Sequence, residues 1–404
     1  MENIRSYNFI GVDTHKDQHT AAVIDCFNRC LKIIEVPNNP NCFDNFIKQV
    51  RGHANGNSLA FGLEDTGGLG HSLAHFLTNS GMLVKEINPT LTERRRKAKP
   101  HPEKSDPKDA LIIAKTLLTE FDSLPDVLTN DLYISIRDLS LHRDSLVKEK
   151  TRLKNRFHHL IREQYPSYEV MFKGPFSKAA LAFWRRFPSA SYLRYIGIKR
   201  LACFLRKHSN NTVSEKRAEE ILKIVEIPLS SSLLQETRAS IIKEIILRIL
   251  IICNDLKKIS VQLEKLVKMT KYRLTSLTGV DIVTSAKIIS NIGDINRFSS
   301  SSKLAKFAGI APVNKSSGRK RRHKKSNRGR RQLNTIFYYI ALCQIGTDRK
   351  GRPKNPVALA YYKRKLSEGK TKKESLTCLM RRLCDIIFRL MKDKSEYVMP
   401  EISY

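Results

Sequence analysis

Tyr7-Asn8-Phe9-Ile10-Gly11-Val12-Asp13 is a mostly apolar run that ends in a carboxylate. It reads as a buried strand. After a turn at Thr14-His15-Lys16-Asp17, the segment His19 to Asp25 reads as the returning strand and Leu31 to Val36 as a third. Three short strands joined by tight turns make a meander. Pro40 to Arg51 then reads as a helix with Phe43, Phe46, Ile47 and Val50 on one face. Leu59-Ala60-Phe61-Gly62-Leu63-Glu64 repeats the opening pattern, an apolar strand ending in an acid. A helix from His71 to Ser80 and a strand from Met82 to Ile87 follow. The order βββαβαβα predicts a mixed α/β sheet.

Further on, Lys104-Ser105-Asp106-Pro107-Lys108-Asp109-Ala110 leads into an apolar helix through Leu117. Ser105 or Asp106 suits its cap and Pro107 its first turn. Asp106 and Asp109 lie three apart and project from one side of the helix start. Neighbouring strands are about 5 Å apart, so Asp13 and Glu64 could converge with these two. Converging carboxylates repel unless a cation sits among them, and hard oxygen ligands select Mg²⁺ or Mn²⁺. Taken singly, each acid is more readily a cap, a solvated side chain or an ordinary strand end; taken as a set in so basic a chain, the four favour a metal site.

The chain has 404 residues, room for two or three domains. Its 73 lysines and arginines against 39 acids leave a net charge of +34. Such a surplus calls for a polyanion, nucleic acid before an anionic membrane. Eight scattered cysteines contain no CxxC pair and suggest free, buried thiols in a reducing compartment. The N-terminus lacks the apolar core of a signal peptide, and the most apolar window, from Ile241 to Cys253, carries Lys243, Glu244 and Arg248. A soluble, cytoplasmic protein with no membrane partner is expected.

Two long helices are predicted in the middle. From Leu132 to Ile161 apolar residues recur in steps of four and three, with Arg143 and Lys150 occupying two of the places. Within Ser214 to Lys271, the residues Ile242, Ile245, Ile249, Ile252, Leu256, Ile259, Leu263 and Leu266 form an unbroken a/d seam. The seam fits either an intramolecular helix pair or a dimerising coiled coil. Between the helices, Tyr165 to Asn211 mixes aromatics with cations, which suits either a core or a surface for unpaired bases.

In the last third, Thr278-Gly279-Val280-Asp281 before a helix looks like half of a helix-hairpin-helix, whose exposed N–H groups bind phosphate. Then come an apolar segment, Leu304 to Pro312, a polar turn, Asn314-Lys315-Ser316-Ser317-Gly318, and a cationic run. A hydroxyl beside cations could present a nucleophile to a phosphodiester, or be a bystander in a basic loop. Candidate phosphate contacts are Lys315, Arg319, Lys320, Arg321, Arg322, Lys324, Lys325, Arg328, Arg330 and Arg331, with Gly279 and the earlier patch Arg94, Arg95, Arg96 and Lys97. Helices are expected over Gln332–Ile345, around Tyr361 to Leu366, and over Lys372–Met391.

GVDTHKD, GLEDTGG, INPTLTERRRK and KSDPKDALIIA together resemble the N-terminal domain of IS110/IS1111 insertion-sequence transposases, and the Ala308–Pro312, Ser317-Gly318 and basic segments resemble their second domain. The resemblance implies a RuvC-like, ribonuclease-H-type domain (1–128), a helical coiled-coil region (129–272) and a small, mainly helical domain (273–395). It implies a tetrad of Asp13, Glu64, Asp106 and Asp109 with Mg²⁺ or Mn²⁺, and a serine nucleophile at Ser317, with Ser316 adjacent. It further implies double-stranded DNA, a guide RNA and a homo-oligomer as partners. Two other classes stay open: a metal-dependent junction nuclease with no covalent step, and a non-catalytic nucleic-acid-binding protein.

Overall fold

The computed structural model describes residues 4–64, 68–98, 105–211, 215–225, 231–311, 313–317, 320–324 and 329–400, with the backbone alone for 313–317 and 320–324. The chain divides into two compact units, Met1–Ser140 with Leu263–Tyr404, and Leu141–Gln262.

The first unit opens with β1 (Tyr7–Asp13), β2 (Gln18–Ile24), β3 (Cys30–Pro37), α1 (Pro40–Gly52), β4 (Ser58–Glu64), α2 (His71–Asn79), β5 (Leu83–Glu86), α3 (Pro89–Lys97) and α4 (Asp106–Glu120). The sheet order is β3-β2-β1-β4-β5. β2 runs antiparallel to β1 and β3, whereas β4 is parallel to β1 and β5 parallel to β4. This is the mixed sheet that the strand pattern predicts, and the RuvC-like domain that the family resemblance implies. One face packs Ile10, Val12, Phe61 and Leu63 against Phe43, Phe46, Leu73 and Leu77. The other packs Phe9, Ile24 and Ala60 against Ile113, Ala114 and Leu117 of α4. Coverage on both faces explains why the central strands read as continuous apolar runs rather than alternating ones.

The long helix α5 (Asp131–Gln164) leads into the second unit, where α6 (Tyr168–Met171), α7 (Lys178–Arg186), α8 (Ile198–His208) and α9 (Glu215–Ile224) precede α10 (Ser232–Met269). The single helix expected over Ser214–Lys271 is therefore two. Between them lies Pro228, outside the described residues, and an interior proline costs a helix about 3 kcal/mol. Ile242, Ile245, Ile249, Ile252 and Leu256 are buried with Leu153, Phe157 and Ile161 of α5 and with Trp184, Leu201 and Leu205. This part of the seam is thus partnered within the chain. The aromatic segment is also mostly core: Tyr165, Tyr168, Phe183 and Trp184 are at most 2% exposed.

The rest of the first unit holds α11 (Ile282–Ile292), α12 (Ser301–Phe307), the hairpin β6 (Val313–Ser317) and β7 (Lys320–Lys324), then α13 (Arg331–Ile345), α14 (Pro356–Ser367) and α15 (Lys372–Asp393). The three last helices match their expected positions. The hairpin is new, since the basic run shows no apolar alternation; Ser317 pairs with Lys320 at its closed end. All eight cysteines are free, but only Cys384 is buried; Cys30, Cys203 and Cys343 are exposed and the other four are half-buried. Among the described residues no helix is long and apolar enough to cross a membrane.

Candidate active site: an acidic cluster and the root of a basic hairpin

β1 and β4 are parallel and in register, with Asp13 opposite Glu64. Paired residues point to the same face, so the two carboxyls are neighbours at one end of the sheet. α4 lies across β1 at Gly11, where a Cβ would stand 2.1 Å from the Ala114 backbone nitrogen and 2.4 Å from the Ala110 oxygen. The paired Gly62 has Ile87 Cδ1 at 2.6 Å from the same notional atom. Two adjacent glycines thus clear a groove in which α4 lies close to the sheet. Its first turn brings Asp106 and Asp109 to the end of β1 that carries Asp13.

Helix α3 supplies the other wall. Asn88 caps it, accepting from the Thr90 N–H, and Pro89 begins it. Thr92 and Arg96 are four apart and share a face. The Thr92 hydroxyl donates to Glu64 Oε2 at 2.6 Å. Arg96 Nη1 donates to both Asp109 oxygens at 3.1 and 3.2 Å. The Thr14 hydroxyl donates to the Glu64 carbonyl at 2.8 Å, tying the two strand ends together. His15 Nε2 stands 3.2 Å from Asp13 Oδ2 and 3.4 Å from Asp106 Oδ1.

The electrostatics follow from this crowding. Burial pushes the Asp13 carboxyl above its ordinary value; His15 pulls it down, and Asp109 and Asp106 push it further up. Burial also raises Glu64, against the hydrogen bond from Thr92, with Asp13 and Asp109 adding to the rise. The chain meets part of this negative charge with Arg96, and a divalent cation would meet the rest. The donors fit one: ligand atoms of Asp13, His15 and Asp106 all lie within 4.8 Å of one another. The two separations from His15 Nε2 approach the roughly 3 Å edge between adjacent ligands of an octahedral ion with bonds of about 2.1 Å.

A third strand ends in an acid, and it is treated differently. Glu86 closes β5, and the next amide, Ile87, donates to the Leu63 carbonyl at 3.0 Å. Burial alone would raise Glu86, but Arg297, then Arg330 and Arg137, hold it below its ordinary value. Arg297 Nη2 is bonded to Glu86 Oε2, and Arg330 Nη1 donates to Oε1 at 2.7 Å. Arg297 also donates to the Asp126 and Ile292 carbonyls.

Arg330 is the root of the basic hairpin. Its amide donates to the Phe307 carbonyl at 2.7 Å, and Asn334 donates to the Ala308 and Gly309 carbonyls. A Cβ on Gly329 would come within 2.3 Å of the Gly309 nitrogen. The segment that carries Ser317 therefore leaves and rejoins the fold at one point, and that point is bonded to the strand beside Glu64. Side chains of Lys315, Ser316, Ser317, Lys320, Arg321, Arg322 and Lys324, and all of Arg319, Lys325 and Arg328, lie outside the described residues.

Other candidates have assigned local roles. Arg96 is on Asp109, Arg95 donates to Thr119, and Lys97 to Glu93 at 2.6 Å, while Arg94 and Arg331 are exposed. Gly279 has φ 84° and packs against Cys343, so it is glycine for backbone and space. Asp281 caps α11, accepting from Thr284 N–H at 2.7 Å. Sequence reasoning missed Thr92, Arg96 as a partner of Asp109, His15 and Glu86. His15 lay in the quoted GVDTHKD, and Glu86 ends an apolar strand as Asp13 and Glu64 do.

A RuvC-like sheet with acids at the ends of β1 and β4 and two more on the first turn of α4 is the arrangement of a DEDD-type nucleic-acid-processing domain, and known proteins narrow the class. A family model described as "Transposase", for the DEDD domain of IS110 elements, matches residues 10–166, and one described as "Transposase IS116/IS110/IS902 family" matches 271–362. The chain is 24% identical over 392 residues to the insertion element IS116 uncharacterized 44.8 kDa protein of Streptomyces clavuligerus, covering 96% of this chain and 95% of that one. It is 25% identical over 391 residues to the insertion element IS900 uncharacterized 42 kDa protein of Mycobacterium paratuberculosis, covering 96% of each. It is 26% identical over 305 residues to the insertion element IS110 uncharacterized 43.6 kDa protein of Streptomyces coelicolor, covering 73% and 72%. This chain belongs to the IS110 family of insertion-sequence transposases.

Proposed function

We propose that this transposase cuts and rejoins DNA strands through a covalent phosphoserine formed on Ser317. The Ser317 oxygen bonds to phosphorus as the bond from phosphorus to the leaving deoxyribose oxygen breaks. The serine proton passes to a carboxylate of the acidic cluster, and the leaving oxygen takes a proton back. Rejoining runs the same step with an incoming hydroxyl, so the bond energy is kept. Mg²⁺ or Mn²⁺ held by Asp13, Glu64, Asp106 and Asp109 supplies Lewis acidity at the phosphate. The basic hairpin and the Arg94–Lys97 turn of α3 screen the DNA charge. The partners are double-stranded DNA, a guide RNA from the element's own ends, and further copies of this chain. The functional division is 1–128, 129–272 and 273–395.

The observation that carries this proposal is the Glu86–Arg330 bond. It links the root of the Ser317 hairpin to the strand next to Glu64, although serine and acids are 208 to 304 residues apart in sequence.

The test is a covalent trap. Protein, Mg²⁺, labelled DNA spanning the joined element ends and RNA transcribed from those ends are incubated and run on a denaturing gel. Label should migrate with wild type and Ser316→Ala, and not with Ser317→Ala or Asp13→Asn. Cleaved DNA with no adduct, unchanged in Ser317→Ala, would overturn the serine mechanism and leave a metal-dependent nuclease.

A further inference from the structure

From Val170 to Ser214 the chain has nine lysines and arginines and no aspartate or glutamate. The helices in this stretch separate their apolar and cationic faces. In α7, Ala179, Ala180, Phe183 and Trp184 are buried, while Lys178, Arg185 and Arg186 are exposed on the opposite stripe. In α8, Leu201, Ala202 and Leu205 are buried, while Lys199, Arg200, Arg206 and Lys207 are exposed. Arg206 lies 3.6 Å from Glu215, beyond the stretch.

The turn between α7 and α8 departs from the packing of the other aromatics. Tyr192 is 45% exposed and Tyr195 is 88% exposed. Leu193 between them is buried, so the tyrosines stand outside on an anchored turn. Lys243 Nζ lies 5.0 Å from the centre of the Tyr192 ring, and the Arg194 guanidinium 5.9 Å from that of Tyr195. The core gains little from a ring as exposed as that of Tyr195. A ring beside cations does give a base a face to stack on while its phosphates meet positive charge. Paired bases within a duplex keep their faces stacked on one another, so this combination selects unpaired nucleotides.

We infer that the 141–262 unit binds an unpaired stretch of nucleic acid, with Tyr195 and Tyr192 stacking on bases and the outward faces of α7 and α8 contacting phosphates. The occupant is a single strand of nucleic acid, held by residues other than those proposed for strand cutting.

The test uses the full chain without divalent metal, so that its outcome is independent of cleavage. Labelled twelve-nucleotide uridine and thymidine oligomers and a blunt duplex are titrated by fluorescence anisotropy. Tyr195→Ala should weaken both oligomers at least about fivefold and leave the duplex unchanged, while Tyr195→Phe retains affinity. Arg185→Ala with Arg186→Ala should lower the salt dependence of oligomer binding by roughly 0.7 per lost phosphate contact. Irradiating an oligomer that carries 5-iodouridine should attach it to the peptide containing Tyr192 and Tyr195. Tighter binding of uridine than thymidine assigns the surface to RNA; equal binding assigns it to single strands of either kind. Equal losses on oligomer and duplex in Tyr195→Ala, no loss on either, or cross-links confined to other peptides would overturn the inference.

Discussion

Glu64 and Glu86 end adjacent parallel strands of one sheet, and both are largely withdrawn from water. Their electrostatics are opposite. Glu64 sits beside Asp13 and Asp109 and is pushed up; Glu86 receives two arginines and is held down. The chain completes the charge of Glu86 from its own sequence and leaves the charge at Glu64 and Asp13 only partly answered. A carboxylate that is fully paired serves the fold, and its cost is met at folding. A cluster left short of positive charge stores repulsion that an added cation relieves, which is what a metal-assisted enzyme needs.

The largest expected effect falls on the paired side. Glu86→Gln strands Arg297, whose side chain is 6% exposed, and should cost about 3–5 kcal/mol in urea unfolding. A loss within experimental error would mean that the arginines find other partners and that the two strand ends do not differ as described.

Gly11→Ala tests the groove that gathers the acids. A methyl group there overlaps the α4 backbone, so α4 must shift, at about 3 kcal/mol or more. Unfolding measurements and the adduct assay should both register it. Unchanged stability would show that α4 does not rest on β1 at this residue.

On the unpaired side the sign reverses. Without divalent metal, Asp13→Asn removes repulsion and should leave stability unchanged or raise it by about 1 kcal/mol, while abolishing adduct formation. The pH dependence separates the two ends further. Asp13 and Glu64 have raised folded values, so their cost is full at neutral pH. It is relieved as pH falls through those values, above the ordinary 3.8 and 4.5. Glu86 has a lowered folded value, so its contribution is present above 4.5 and is lost as pH falls through the folded value below it. In wild type minus Asp13→Asn, stability should therefore rise on acidification from pH 7. In wild type minus Glu86→Gln it should fall below about pH 4.5. Saturating Mg²⁺ should hold the carboxylates ionised and flatten the first difference; the same curve with and without Mg²⁺ would remove the cluster as a cation site.

The smallest effect concerns His15. If its Nε2 joins Asp13 and Asp106 around a cation, His15→Ala should weaken Mn²⁺ binding about tenfold by titration. It should also remove nitrogen coupling from the pulsed electron paramagnetic resonance spectrum of bound Mn²⁺. Nitrogen coupling that persists in the variant would place His15 outside the coordination sphere.

The acids on β1, β4 and α4 were legible because each sits at a point that local pattern marks: the last residue of an apolar strand, or the first turn of a capped helix. The DEDD resemblance placed the same four. Glu86 ends its strand in the same way, but its meaning was hidden. Its partners lie 211 and 244 residues away. No spacing rule reaches that far, and Arg330 looked like one more member of a basic run. The a/d seam of α10 showed that one face would be buried, but did not say by what; five of its residues are covered by this chain's own helices. The aromatic segment likewise left core and surface open, and Tyr192 and Tyr195 part from the others only because the turn between α7 and α8 faces outward.

By itself the sequence determined the strand and helix order of the N-terminal sheet, its mixed character, the demand for a polyanion and the positions of four acids at strand ends and a helix start, because these follow from periodicity, capping and composition within short windows. The tertiary structure decided which acids are neutralised and which remain in want of a cation. It also decided which apolar seam is already filled and which aromatics stay exposed. Those outcomes depend on Coulomb interactions and burial between segments far apart in the chain, which only the folded geometry brings within a few ångströms of one another.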